Sequence, residues 1–60
     1  MKFITIQAGE LDYFINVQNI VSVNALDHPT LYGTVIKLVN GDTITTGQDF
    51  IGVIESIKNA

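Results

Sequence analysis

The dipeptide Asn40-Gly41, set between "TVIKLV" and "DTITT", constrains this chain more than any other feature. Both flanks are rich in β-branched residues. Asn-Gly is the strongest short-range hairpin signal, because a type I′ turn needs positive φ at both central residues. Residues 34–46 therefore read as two antiparallel strands. Alternation places Thr34, Ile36, Leu38 and Ile44 on one face and turns Lys37 outward. An isolated hairpin is at best marginal in water, so other elements must cover its apolar face. The chain has little with which to do so. Its 60 residues make one small domain, residues 1–60. With no cysteine there is no disulfide, and a single His offers no structural zinc set. Stability then rests on a dense apolar core, which a 47% hydrophobic composition permits, or on self-association.

The other elements follow from period and punctuation. "KFITIQ", residues 2–7, is a β-rich run with Ile4 and Ile6 on one face. Gly9 marks a turn at 8–10. "YFINVQNIVSV", residues 13–23, is too long for one strand here, and "QNI" at 18–20 breaks its alternation. Asn side chains bond nearby backbone and favour turns. The stretch is thus a strand over 11–17, a tight corner at Asn16 to Asn19, and a strand over 20–24, with Ile20 closing one end of the core. "LDHPTLYG", 26–33, is the longest loop. At the end of the chain, Phe50, Val53, Ile54 and Ile57 form one helical stripe, and Thr46-x-x-Asp49 fits a capping pattern for a helix over 47–58. Asp49 near its start and Lys58 near its end suit the macrodipole. The expected fold is α+β, mostly β: a five-stranded antiparallel twisted sheet or half-open barrel followed by one C-terminal helix.

Catalytic chemistry finds no foothold. There is no Cys nucleophile, and neither Ser22 nor Ser56 lies in a nucleophile-elbow context. His28 follows Asp27 in the loop and reads as exposed polarity. Gly47 and the helix start suggest an anion site, but Asp49 there repels a phosphate and no Lys or Arg is adjacent. The expectation is a protein that is not an enzyme, with no cofactor and no metal. A net charge of −3, three lysines and no arginine disfavour nucleic acid, whose phosphates call for a basic stripe. No apolar run approaches the roughly 20 residues that cross a bilayer, so no membrane span is expected. The start of the chain, with one Lys and no long apolar stretch, does not read as a secretory signal, and a cytoplasmic location is the expectation.

Partners are where the sequence is informative. Phe3 faces away from Ile4 and Ile6, and Val35 and Val39 face away from Ile36 and Leu38. A sheet covered by one helix has a single core face, so apolar residues on the second face need cover from barrel closure or from another subunit. Leu31 and Tyr32 add two apolar residues to the loop, outside any alternation. Phe3, Leu31, Tyr32, Val35 and Val39 are therefore the candidate interaction residues. A homo-oligomer is expected, with an unidentified protein as the other possible partner. The remaining aromatics, Tyr13, Phe14 and Phe50, are assigned to the core.

The phrases "YFINVQNIVSV", "TVIKLVNGDTITT" and "DFIGVIESI" together resemble the FlbD-type small flagellar proteins and similar short bacterial and phage β-rich proteins, over about residues 13–57. That resemblance implies the strand-corner-strand, hairpin and short helix already derived, and it implies no catalytic residue. The strand-corner-strand phrase is also similar to that of LytTR DNA-binding domains. It makes a small nucleic-acid-binding regulator, acting as an oligomer, the alternative to a non-enzymatic binding or assembly module.

Overall fold

A computed structural model describes residues 2–60. Five strands and one C-terminal helix follow in the expected order: β1 (Phe3–Ala8), β2 (Leu11–Asn16), a 3₁₀ turn (Val17–Asn19), β3 (Ile20–Ala25), β4 (Thr34–Leu38), β5 (Thr43–Thr46) and α1 (Phe50–Asn59). The protein is mostly β, as expected, and every strand pair is antiparallel. The hydrogen bonding does not make one five-stranded sheet. It makes two: β1-β2, and β3-β4-β5.

The corner explains the division. Asn16 is the N-cap of the 3₁₀ turn, and its side-chain oxygen accepts from the Gln18 amide at 3.0 Å. That local bond is the competition with strand pairing that Asn introduces. Val17 still donates to the Lys2 carbonyl at 2.9 Å, closing the first ladder, and Asn19 accepts from Val39 at 2.9 Å, anchoring the turn to the second sheet.

Each hairpin has its own turn chemistry. β1 and β2 are joined by the two-residue loop Gly9-Glu10, with positive φ at Gly9 only, as a type II′ turn requires. The Asn40-Gly41 loop differs from the expected type I′. Only Gly41 has positive φ, at 93°. Gly41 donates to the Leu38 carbonyl at 3.0 Å, and Leu38 donates to the Asp42 carbonyl at 2.9 Å. This is a three-residue loop, a type I turn followed by a glycine bulge. The Asn40 side chain accepts from the Asp42 amide at 2.9 Å, so Asn serves as a turn brace and needs no left-handed backbone.

The inner faces of the two sheets meet in an aliphatic core of Ile4, Ile6, Ile15, Ile36, Ile44 and Val53. Ile20, Val23, Leu38 and Ile57 pack at its margin. Helix α1 lies against β3 and buries Val53 fully, with Phe50, Ile54 and Ile57 half-buried along the predicted stripe. Its N-cap is Asp49, whose side chain accepts from Gly52 at 3.3 Å; the expected Thr46 cap and Asp49 at N3 are not what forms.

Thr46 is committed elsewhere. It is buried beside Thr34 in the β4-β5 register, and its hydroxyl donates to the Gln7 carbonyl of β1. The Gln48 side-chain oxygen accepts from the Gln7 amide at 2.9 Å, and the Gln48 carbonyl accepts from the Thr34 hydroxyl at 2.9 Å. Two side chains thus satisfy the backbone of Gln7 as a neighbouring strand would. They fasten β1 to the end of β5 while leaving the two sheets separate.

Candidate interaction surface

The β1-β2 sheet turns an aromatic face to solvent. Register places Phe3 opposite Asn16, Thr5 opposite Phe14 and Gln7 opposite Asp12, all on the face away from Ile4, Ile6 and Ile15. Phe3 and Phe14 are diagonal neighbours there, and their rings stack with centroids 4.6 Å apart and planes 10° from parallel. Phe14 is 72% exposed and Phe3 38%. The assignment of Phe14 and Tyr13 to the core is therefore corrected: no aromatic belongs to the buried cluster. The reason is the shortness of this sheet. Its inner face is filled by three isoleucines, and β2 extends past the cover of the second sheet, leaving Leu11 61% exposed and Tyr13 partly so.

Along β2 the two sheets splay apart and leave a groove of about 420 Å³. Tyr13 to Asn16 form one wall, and Leu38, Asp42, Thr43 and Ile44 the other, with Asn19 also lining it. Its surface is apolar at Ile15, Leu38 and Ile44 and polar at the two asparagines and Asp42. The Asp42 carboxylate accepts from the Asn40 amide group at 3.1 Å, so the hairpin already engages it. No Ser, Cys, His or Lys is among its lining residues. Among the described residues no three His, Cys, Asp or Glu side chains converge as a metal set would.

The other residues singled out in the sequence are dispersed. Val35 lies on the outer face of the three-stranded sheet, half-buried, with Asn24 and Thr45 as its cross-strand neighbours. Phe3 belongs to the other sheet, so Phe3 and Val35 do not share a sheet face. Val39 is not in a strand at all; it is the first residue of the hairpin turn and is exposed. Leu31 and Tyr32 stand on the 26–33 loop, Tyr32 91% exposed. That loop is not slack. The His28 ring nitrogen Nδ1 accepts from the amides of Thr30 and Leu31 at 3.2 and 3.1 Å, and Leu26 donates to Gly33 at 2.9 Å across its base. His28 is a turn brace, a role that adjacency to Asp27 could not have suggested.

Phe14, Tyr13 and Leu11 are the residues that sequence reasoning left out of the surface. The signal was present: a two-residue turn at Gly9-Glu10 fixes a register in which Phe14 joins Phe3 on the outer face. The lysines make no basic patch of their own in sequence or in structure. Lys2 precedes β1, Lys37 points outward from β4 and Lys58 sits in the last turn of α1. Among the described residues no helix is long and apolar enough to cross a membrane. Comparison with protein-family models, with curated proteins and with solved structures gives no significant match.

Proposed function

We propose that this protein is a non-enzymatic binding or assembly module of the cytoplasm that self-associates through its exposed apolar surface. The observation that carries this reading is the solvent-facing Phe3-Phe14 stack on a two-stranded sheet, with exposed Leu11 and partly exposed Tyr13 on the opposite face of the same hairpin. Exposed patches of large apolar residues on small domains mark interaction sites. The two sheets are, in this reading, the walls of a half-open barrel, fastened at Gln7 and Gln48 and open along β2. The likeness of residues 13–57 to FlbD-type small flagellar proteins belongs to the same proposal. Leu31, Tyr32 and Val39 form separate exposed points that suit a second, different partner.

The test is the concentration dependence of association for Phe3→Asp and Phe14→Asp, each checked for fold by circular dichroism. A charge placed in an aromatic contact should weaken association at least tenfold. Unchanged association in both folded variants would remove this face from the proposal.

A further inference from the structure

We infer that the partner is a second copy of this chain and that the contact is antiparallel pairing of β2 with β2 across a two-fold axis at Phe14. The inference rests on the proposed self-association and specifies its edge, register and symmetry.

The backbone directions come from the ladder. In an antiparallel pair, opposed residues exchange both hydrogen bonds or neither. Gln7 spends its amide on Gln48 and its carbonyl on Thr46, away from β2, so Gln7 and Asp12 form a non-bonded pair. At the other end, the Val17 amide reaches the Lys2 carbonyl, which makes the next pair, Phe3 and Asn16, non-bonded as well. Alternation then directs the backbone groups of Asp12 and Phe14 and the amide of Asn16 to the far side of β2. Only β1 neighbours β2 in its sheet, so that side is an open edge.

This edge lacks the usual protection. Sheet edges are normally blunted by lysine, proline, a bulge or a covering element. Of the other edge strands, β3 has a register shift between Ile20 and Ser22 and helix α1 against it, and β1 and β5 are fastened to each other through Gln7, Thr46 and Gln48. The sequence of β2, LDYFIN, has a single charge, Asp12, with no lysine, no proline and an uninterrupted register. Its two exposed aromatics lie beside the groove between the sheets.

Two copies fit in one register. With Phe14 opposite the partner's Phe14, the two Phe3-Phe14 stacks join into one aromatic row on the outer face. Asp12 then faces the partner's Asn16. The Asn16 oxygen is already taken by the Gln18 amide, so its Nδ2 group is available to donate to the carboxylate. On the inner face Tyr13 meets the partner's Ile15 at the mouth of the groove. Centring on Asp12 would oppose two carboxylates, and centring on Asn16 would run past the strand end. Centring on Tyr13 or Ile15 would set Phe14 against Asp12 or Asn16, whereas the Phe14 register pairs aromatic with aromatic and carboxylate with amide.

The test is a charge exchange read by analytical ultracentrifugation at low salt. Asn16→Asp keeps the cap of the 3₁₀ turn, since Asp and Asn cap equally well, but sets it against Asp12 twice in the symmetric pair. The expected result is about tenfold weaker dimerisation, restored in Asp12→Asn/Asn16→Asp. A double variant that stays dissociated, or an Asn16→Asp protein that dimerises like the parent, overturns the β2 register while leaving self-association by another face. A parent chain that is monomeric throughout overturns both proposals. Hydrogen exchange on the unaltered protein gives an independent measure. The Phe14 and Asn16 amides should gain protection as concentration rises, and amides that exchange equally fast at all concentrations of an associating protein would contradict the pairing.

Discussion

Gln7, Thr46 and Gln48 show how far apart in sequence the decisive partners of a small domain can be. The Gln48 side chain and the Gln7 amide are separated by 41 positions, and their bond carries no local sequence signal. The alternation that identified Ile36, Ile44 and Thr34 as inward-facing was legible, because period two is a local property. That Thr46 would be buried and spend its hydroxyl on β1 was not. Thr46→Val keeps the shape and removes the hydroxyl, leaving the Gln7 carbonyl and Gln48 amide without their partner. Its expected cost is about 1–2 kcal/mol in urea unfolding. Gly33 provides a second case. A Cβ there would collide with the Thr46 backbone carbonyl, whereas a Cβ at Gly47 meets nothing within 4 Å. Gly33→Ala should destabilise by about 1–3 kcal/mol, as overpacking against backbone does. Gly47→Ala should change stability by less than about 1 kcal/mol. Equal effects at the two glycines would contradict the close packing of the 26–33 loop on β5.

At the scale of elements, the strands, the corner, the hairpin and the helix were legible, and their joints were not. The Asn16 corner could be placed because Asn and Gln interrupt an otherwise alternating run. The hairpin turn was placed correctly but assigned the wrong type. Asn40 needs no positive φ when its side chain braces the turn and Gly41 alone takes the left-handed position. The helix start was displaced for a related reason. Thr46-x-x-Asp49 satisfies the capping pattern, but Asp49 is itself a good N-cap, and Gln48 is needed in extended chain to reach β1. The two assignments make different predictions. Asp49→Ala should cost about 1 kcal/mol and lower the helical circular dichroism signal, while Asp49→Asn should be nearly neutral because Asn caps as well. A near-neutral Asp49→Ala would contradict Asp49 as the cap.

At the scale of the whole molecule, it was legible that large apolar residues face away from the core, and where they gather was not. Period-two alternation correctly turned Phe3 away from Ile4 and Ile6. Sequence reasoning placed Val35 and Val39 on the same surface because it assumed a single sheet. Two sheets separate Phe3 from Val35 and leave the aromatic face on the β1-β2 hairpin instead. The acidic balance and the dispersal of Lys2, Lys37 and Lys58 also bear on the nucleic-acid alternative. A fluorescent single-stranded DNA titration at low salt should show no binding, since no basic groove accompanies the aromatic stack. Micromolar, salt-sensitive binding would favour the nucleic-acid alternative.

The most direct test of the account is the solution mass of the unaltered chain by light scattering over a concentration series. Association through β2 predicts a mass rising from 6.6 kDa toward about twice that value and then levelling, as a closed two-fold pair must. A mass that stays at 6.6 kDa up to millimolar concentration would contradict it, and would mean that the β2 edge is open in the working protein.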